Sequence, residues 1–321
     1  MLHYRNLQFL LKLGFKITKI HKILWFDQKP WLKAYIDFNT RKRAQAGTTF
    51  EKDFYKLMNN SVFGKTIENV RNRVDIRIAT NDPQAIKQFT KPTYKHSKYI
   101  DGIYLIEHYK KKIVYDKPLY VGTSILDLSK LCMMDFHYNV IQKDFPGRYH
   151  LLYSDTDSFV YQFYDDDIYK YVGKNHHLFD LSEYERPGMR NDENKKVLGK
   201  MKDETHGLQI IEFTSLNPKV YSFKCQKKDK ANKIIIDNKK CCKGVSKTVV
   251  KKEITHDDYV NQLNNPKPLV KCVVSIRSQD HHLKTIVSAK KALTSMYDKS
   301  QQINHIDNVP FGYGVKEYIE I

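Results

Sequence analysis

The sequence predicts an α+β fold, and three observations carry that prediction. Helical, hairpin-like, helical and strand-rich stretches follow one another with no βαβ alternation, which argues against a doubly wound α/β sheet. The 321 residues are 41% hydrophobic and 28% charged, a globular composition with length for about two domains. No internal repeat or low-complexity stretch points to a solenoid, a propeller or a disordered chain.

Residues 4–13 (YRNLQFLLKL) have helical spacing and close at Gly14. Residues 15–26 (FKITKIHKILWF) alternate apolar and basic side chains, the pattern of a half-buried strand. A helical stretch from Phe38 to about Arg73 is interrupted near Gly47 and Gly64, which predicts two helices and a short turn. Between 74 and 121, short β-branched and aromatic runs alternate with the turn signals Asn81-Asp82-Pro83 and Asp101-Gly102, so hairpins are expected. Residues 123–143 form an amphipathic helix with Ile125, Leu128, Cys132, Phe136 and Val140 near one stripe. Tyr149–Tyr164 is β-like around an acidic cluster. A polar loop follows Gly173, and strands resume at Leu208–Phe213 and Lys219–Cys225. Residues 239–300 hold thirteen Lys/Arg against five Asp/Glu, and this shift suggests a domain boundary near 240.

The net charge is +19, which argues for a polyanionic partner, nucleic acid first and acidic lipid second. Five cysteines (Cys132, Cys225, Cys241, Cys242, Cys272) form no CxxC pair, so neither a zinc site nor a disulfide framework is read. They suit a reducing compartment. No apolar stretch approaches the roughly 18 residues of a membrane span. Leu7–Leu13, broken by Lys12 and lacking a small-residue cleavage site, does not read as a signal peptide.

Two segments carry chemistry. On a helix, Phe54, Leu57, Met58, Ser61 and Val62 of Glu51–Gly64 fall on one side and Lys52, Lys56, Asn60 and Phe63 on the other. Two lysines one turn apart, an amide and a ring suit a nucleotide, the lysines on its phosphates and the ring against sugar or base. A merely solvated basic face has the same spacing. The second segment is Tyr153-Ser154-Asp155-Thr156-Asp157-Ser158, two carboxylates at i, i+2 between apolar strands. Such a pair repels unless a cation joins it, and oxygen ligands favour Mg²⁺ or Mn²⁺. If both residues are extended they share a face, whereas a turn would split them; an acidic turn facing solvent is the alternative. His176-His177 and His281-His282 lack metal-site spacing, Asp165-Asp166-Asp167 reads as a solvated turn, and the Lys runs at 110–112, 227–230 and 251–252 face phosphate or solvent.

Lys56–Gly64 (KLMNNSVFG) resembles the fingers motif K-x3-N-S-x-Y-G of family B DNA polymerases, and Tyr153–Ser158 (YSDTDS) matches their palm motif Y-x-D-T-D-S. Lys219-Val220-Tyr221 matches the K-x-Y motif that follows. The surrounding text, including residues 50–73, 124–141, 198–204, 249–255 and 276–285, looks most like the protein-primed polymerases of Maverick-type (Polinton) transposons and their viral and organellar-plasmid relatives. The likeness runs over nearly the whole chain.

That resemblance implies a right-hand polymerase with helical fingers, an antiparallel-sheet palm and a thumb. It divides the chain into a residual palm or insertion segment (1–29), fingers (30–75), an inserted hairpin region (76–121), palm (122–238) and basic thumb (239–321). It implies that Lys56, assisted by Lys52, grips the incoming triphosphate and that Asn60 positions the nascent base pair. Phe63 stands where the family usually has Tyr, the ring under the deoxyribose. Asp157 is implied as the direct metal ligand, with Asp155 as the neighbouring carboxylate. Tyr153 and Thr156 would shape the hairpin against the primer, and Lys219 and Tyr221 would hold the primer strand. The implied cofactor is a pair of Mg²⁺ or Mn²⁺ ions. The implied partners are primer-template DNA, dNTPs, a terminal priming protein and an N-terminal polymerase segment, with no membrane.

Phosphoryl transfer by two ions needs carboxylates from separate strands. The family takes one from an upstream D-x-x-S-L-Y-P motif and has an upstream exonuclease domain. The sequence contains neither; Asp27 and Asp37 precede the fingers motif without that context. The expectation is therefore the C-terminal part of a polymerase, Met1 falling in the palm-to-fingers connection. The rivals are a non-catalytic DNA-binding remnant and a Mg²⁺-dependent nuclease using Asp155 and Asp157. An intracellular site is expected, the nucleus or a viral or element replication site among them.

Overall fold

In the computed structural model, residues 1–164, 167–228, 234–279, 282–296, 300–302 and 308–310 are described. Two compact units divide at Tyr149/His150. The first begins with α1 (Tyr4–Lys12), α2 (Lys33–Gln45) and α3 (Thr49–Thr66). Thr48 opens α3 with a capping box: its hydroxyl accepts the Glu51 N–H, and the Glu51 carboxylate accepts the Thr48 N–H, each at 3.2 Å. Two of the donors that a helix start leaves open are thereby satisfied. α2 packs on α3, and Asn59 Nδ2 donates to Thr40 Oγ1 at 3.3 Å. Gly47 lies in the link between them, whereas Gly64 sits inside α3 and does not interrupt it.

β1 (Asp75–Ala79), α4 (Asp82–Phe89), β2 (Tyr94–Ile100) and β3 (Ile103–His108) follow. The strands form an antiparallel sheet in the order β1-β3-β2, with a core of Ala79, Ala85 and Ile106 under α4. Asp101 and Gly102 both hold positive φ, the need of a two-residue hairpin turn. Asn81-Asp82-Pro83, read as a turn, opens α4 instead. The Asn81 side chain accepts the Gln84 N–H, and Pro83 occupies the first turn, where no N–H is required. α5 (Leu119–Asp135) runs on into a π-helical stretch at Phe136–Gln142. Of the stripe expected on this helix, Ile125 and Leu128 are exposed, while Gly122 and Asp127 turn inward. α1 packs on α5, and the His3 backbone N–H donates to the Asp127 carboxylate at 2.6 Å.

Residues 15–26 do not form the expected strand. No strand pairs with them among the described residues, and Trp25 is 89% and Ile23 72% exposed. A strand holds only where its N–H and C=O groups meet a neighbouring ladder, so an alternating pattern without one stays irregular.

The second unit opens on the hairpin of β4 (Tyr149–Asp155) and β5 (Ser158–Phe163), then α6 (Ile168–Lys174). Two-residue strands β6 (Phe179–Asp180) and β7 (Met201–Lys202) pair in parallel. Between them Asp180 accepts from Ser182 Oγ at 2.6 Å and from the Lys196 N–H at 2.9 Å, so the loop is tied at both ends. β8 (Gln209–Asn217), β9 (Val220–Lys228) and β10 (Ile234–Cys242) form an antiparallel sheet in the order β10-β9-β8. The composition shift near residue 240 thus falls inside a strand. α7 (Lys247–Glu253) and α8 (His256–Asn264) pack on this sheet around Cys242, Val250, Ile254, Tyr259, Ala292 and Leu293. Tyr259 is fully buried and its hydroxyl donates to the Cys241 carbonyl at 3.0 Å. β11 (Leu269–Gln279) and β12 (His282–Leu293) make a long antiparallel ribbon, and β13 (Ser300–Gln302) pairs with β14 (Asn308–Pro310).

Asp165, Asp166, Lys230, His281 and residues 311–321 of the expected thumb lie outside the described residues. Among the described residues no helix is long and apolar enough to cross a membrane, and all five cysteines are free.

Candidate active site

The first group of side chains lies on α3 in the first unit. Tyr55, Met58, Val62 and Phe63 are partly covered and Thr66 is buried, whereas Lys52, Lys56 and Asn60 are exposed. The division differs from the expected one: Phe54 (45%) and Leu57 (59%) also face solvent, because the face against α2 is centred on Asn59. The end of α3 is anchored by Glu68, which meets Arg73 at 2.8 Å and Lys65 and Lys117 at 3.4 Å each. Arg73 foremost, with both lysines, holds the Glu68 carboxyl down to about 2. Asp27 is exposed, and Asp37 on α2 is ion-paired to Lys33.

The second group gathers in the second unit, where two hairpin tips meet. In the first, the Asp157 N–H donates back to the Asp155 carbonyl at 2.6 Å, closing a three-residue turn around Thr156. Thr156 sits at φ +56°, a strained value for a β-branched residue. In the second, Lys219 follows Pro218 at φ +64°, the pattern of a type II turn with a lysine where glycine is usual. The Lys219 N–H donates to the Tyr153 hydroxyl at 2.8 Å, and its ammonium donates to both Asp155 carboxylate oxygens at 2.5 Å. Thr156 Oγ1 adds a bond to Asp155 Oδ1 at 3.1 Å, and Ser158 Oγ one to the Asp155 carbonyl at 3.2 Å.

Electrostatics follow from these contacts. Lys219, and secondarily Thr156, hold the Asp155 carboxyl below its ordinary range against a burial cost, and the carboxylate raises Lys219 in turn. Tyr153, Phe213 and Tyr221 form an aromatic cluster with ring centroids 5.1–6.0 Å apart. Burial pushes the Tyr221 hydroxyl up to about 12, so it is neutral across the physiological range. Asp157 is exposed in the turn, and its carboxylate makes no hydrogen bond or ion pair among the described residues.

Asp155 is spent on Lys219, while Asp157 acts on the same ammonium through space without bonding to it. Among the described residues no group of three His, Cys, Asp or Glu side chains gathers anywhere to hold a metal. This donor set does not by itself fit a two-ion centre. His176 lies 3.4 Å from Glu193 at an exposed site, and His282 is exposed on the ribbon.

Sequence reasoning missed the Asp155–Lys219 pairing, since it had assigned Asp155 to metal and Lys219 to primer. It also missed a network in which the buried His256 lies with Nδ1 2.9 Å from the buried Ser222 Oγ and with Nε2 3.2 Å from the exposed Glu212 Oε1. Ser222 is fully buried and donates its hydroxyl to the Lys239 carbonyl at 3.1 Å, so it is a strut rather than a nucleophile. No spacing signal links positions 212, 222 and 256.

No protein-family model, curated protein or solved structure matches this chain.

Proposed function

We propose that this chain serves template-directed DNA synthesis as the fingers, palm and thumb part of a protein-primed family B DNA polymerase. The observation that supports this reading most is the meeting of Tyr153–Ser158 with Lys219-Val220-Tyr221. These are the two motifs that the resemblance assigns to one palm, and here they are joined by the Lys219 bonds to Tyr153 and Asp155. In this reading Lys52 and Lys56 bind the triphosphate, Asn60 contacts the base pair, and Phe63 lies against the sugar. Lys219 and Tyr221 hold the primer strand, and the basic region after Lys239 binds duplex phosphates. Mg²⁺ or Mn²⁺ is the implied cofactor, and Asp157 is the carboxylate open to it. A further carboxylate is needed to complete the site, and Asp27 and Asp37 ahead of the fingers motif are the first suspects.

A second reading, a DNA-binding remnant without catalysis, is favoured by a specific observation: Asp155 is already neutralised by Lys219, and among the described residues no group of three metal-ligating side chains forms around Asp157. Primer extension by the purified chain, with Mg²⁺ and then Mn²⁺ and with Asp157→Asn as control, separates the two. Extension abolished by Asp157→Asn supports the polymerase reading. Salt-sensitive DNA binding with no extension supports the remnant, and no DNA binding at low salt rules out both.

A further inference from the structure

Lys219 occupies the place at which a metal ion would meet Asp155. A carboxylate takes a divalent cation through one or both of its oxygens, and here both accept from one ammonium at 2.5 Å. Thr156 Oγ1 donates to Oδ1 as well, at 3.1 Å. A divalent ion on the same carboxylate would lie close to that ammonium and be repelled by it. The Asp157 carboxylate, with no hydrogen bond or ion pair among the described residues, attracts the same ammonium through space. The mismatch between two-ion chemistry and this donor set therefore has a local cause: the cation at Asp155 is a lysine of the same chain.

The β8–β9 turn delivers that lysine. The Lys219 N–H donates to the Tyr153 hydroxyl at 2.8 Å, and its carbonyl accepts from the Lys243 N–H at 3.1 Å and from Cys241 Sγ at 3.3 Å. None of these three bonds involves the ammonium. The backbone at 219 is held beside Asp155 whether or not the ion pair is made, and a cation tethered in this way competes at high effective concentration. Its stem is long and rotatable. The pair is also open to water, with 40% of the Lys219 and 25% of the Asp155 side chain exposed. The ammonium can leave Asp155 while the turn keeps its place. We propose that Lys219 is an internal cation that competes with divalent ions for Asp155, so that the Asp155–Asp157 turn takes up a metal only once the ammonium has swung away. The choice of a divalent ion as the competitor rests on the polymerase reading.

The test is a titration of the full chain with Mn²⁺ alone, read from the electron paramagnetic resonance signal of the free ion. Lys219→Gly and Lys219→Gln both remove the ammonium, the first suiting the positive φ of the turn and the second keeping a polar side chain. Lys219→Arg retains a cation. Lys243→Ala deletes an exposed charge that acts on Asp155 through space, and it keeps the backbone bond to Lys219. Circular dichroism and melting curves verify that each variant folds as the parent does. Lys219→Gly and Lys219→Gln are expected to bind Mn²⁺ about tenfold more tightly than the parent, at about millimolar Kd, and adding Asp155→Asn to either should cancel the gain. Lys219→Arg and Lys243→Ala should stay within about twofold of the parent. Unchanged or weaker Mn²⁺ binding without the ammonium overturns the proposal. So does a gain that survives Asp155→Asn, which puts the ion elsewhere, or an equal gain in Lys243→Ala, which reduces the effect to overall charge. The titration contains neither DNA nor dNTP, so primer extension can fail without altering it, and it can fail while extension succeeds.

Discussion

Lys219 and Asp155 are 64 positions apart in sequence, yet one ammonium meets both oxygens of one carboxylate at 2.5 Å. The pair joins the tips of two hairpins, and it ties the turn that carries Asp157 to a lysine in the turn of the other. The Asp155 carboxyl is depressed from its ordinary 3.8, chiefly by Lys219, so its contribution to stability is present above that value and is lost as pH falls through the lower folded value. Urea midpoints of the parent and Asp155→Asn, measured from about pH 7 down to about pH 2.5, should differ by a constant amount to about pH 4 and converge below. A difference that persists to the lowest pH would separate Asp155 from this ion pair.

The backbone at Lys219 supplies a second expectation. Glycine accepts a φ of +64° without strain, whereas any other side chain costs about 1 kcal/mol there. Lys219→Ala and Lys219→Gly both delete the ammonium, but only Gly relaxes the turn. Denaturant unfolding should find Lys219→Gly more stable than Lys219→Ala by about 1 kcal/mol. Equal stabilities would mean the turn adjusts its backbone.

Lys52 and Lys56 form no ion pair among the described residues and are exposed on α3. Replacing both with alanine should leave the melting temperature within a degree or two, since exposed positions without contacts change stability by less than about 0.5 kcal/mol. Binding of a fluorescent dNTP analogue should weaken about tenfold or more. Unchanged nucleotide binding would make this face a solvated one.

Gly122 controls how closely α5 approaches the end of the helix that carries those lysines. A methyl group there would lie 2.1 Å from Ile67 Cγ2 and 2.6 Å from Thr66 Oγ1. Gly122→Ala should cost about 1–3 kcal/mol through overpacking, outweighing the gain in helix propensity. Thermal unfolding of the purified variant checks the sign, and a stabilised Gly122→Ala would show that Ile67 moves aside freely.

Local chemistry made much of the fold legible. The Asp101-Gly102 turn and the apolar strands around Asp155 and Asp157 are written in neighbouring residues, and each is found where its residue types demand. Residues 15–26 misled because alternation specifies a face and says nothing of whether a neighbouring strand exists. Asn81-Asp82-Pro83 misled because the same residues cap helices and make turns. The candidate site was legible as motifs, but its central contact was not. A salt bridge across 64 positions depends on where two turns come to rest, and neither turn encodes the other.

The long irregular stretch between α1 and α2 has a consequence for how the chain comes apart. Lys16, Lys19, Lys22 and Lys29 lie on exposed backbone outside any helix or strand, the kind of site at which a protease acts first. α1 is held to α5 by packing and by the His3–Asp127 bond, neither of which needs that connection. A trypsin-nicked chain should therefore elute as one species under native conditions and as two peptides in denaturant. The first helix can then be supplied separately, as a complementing fragment.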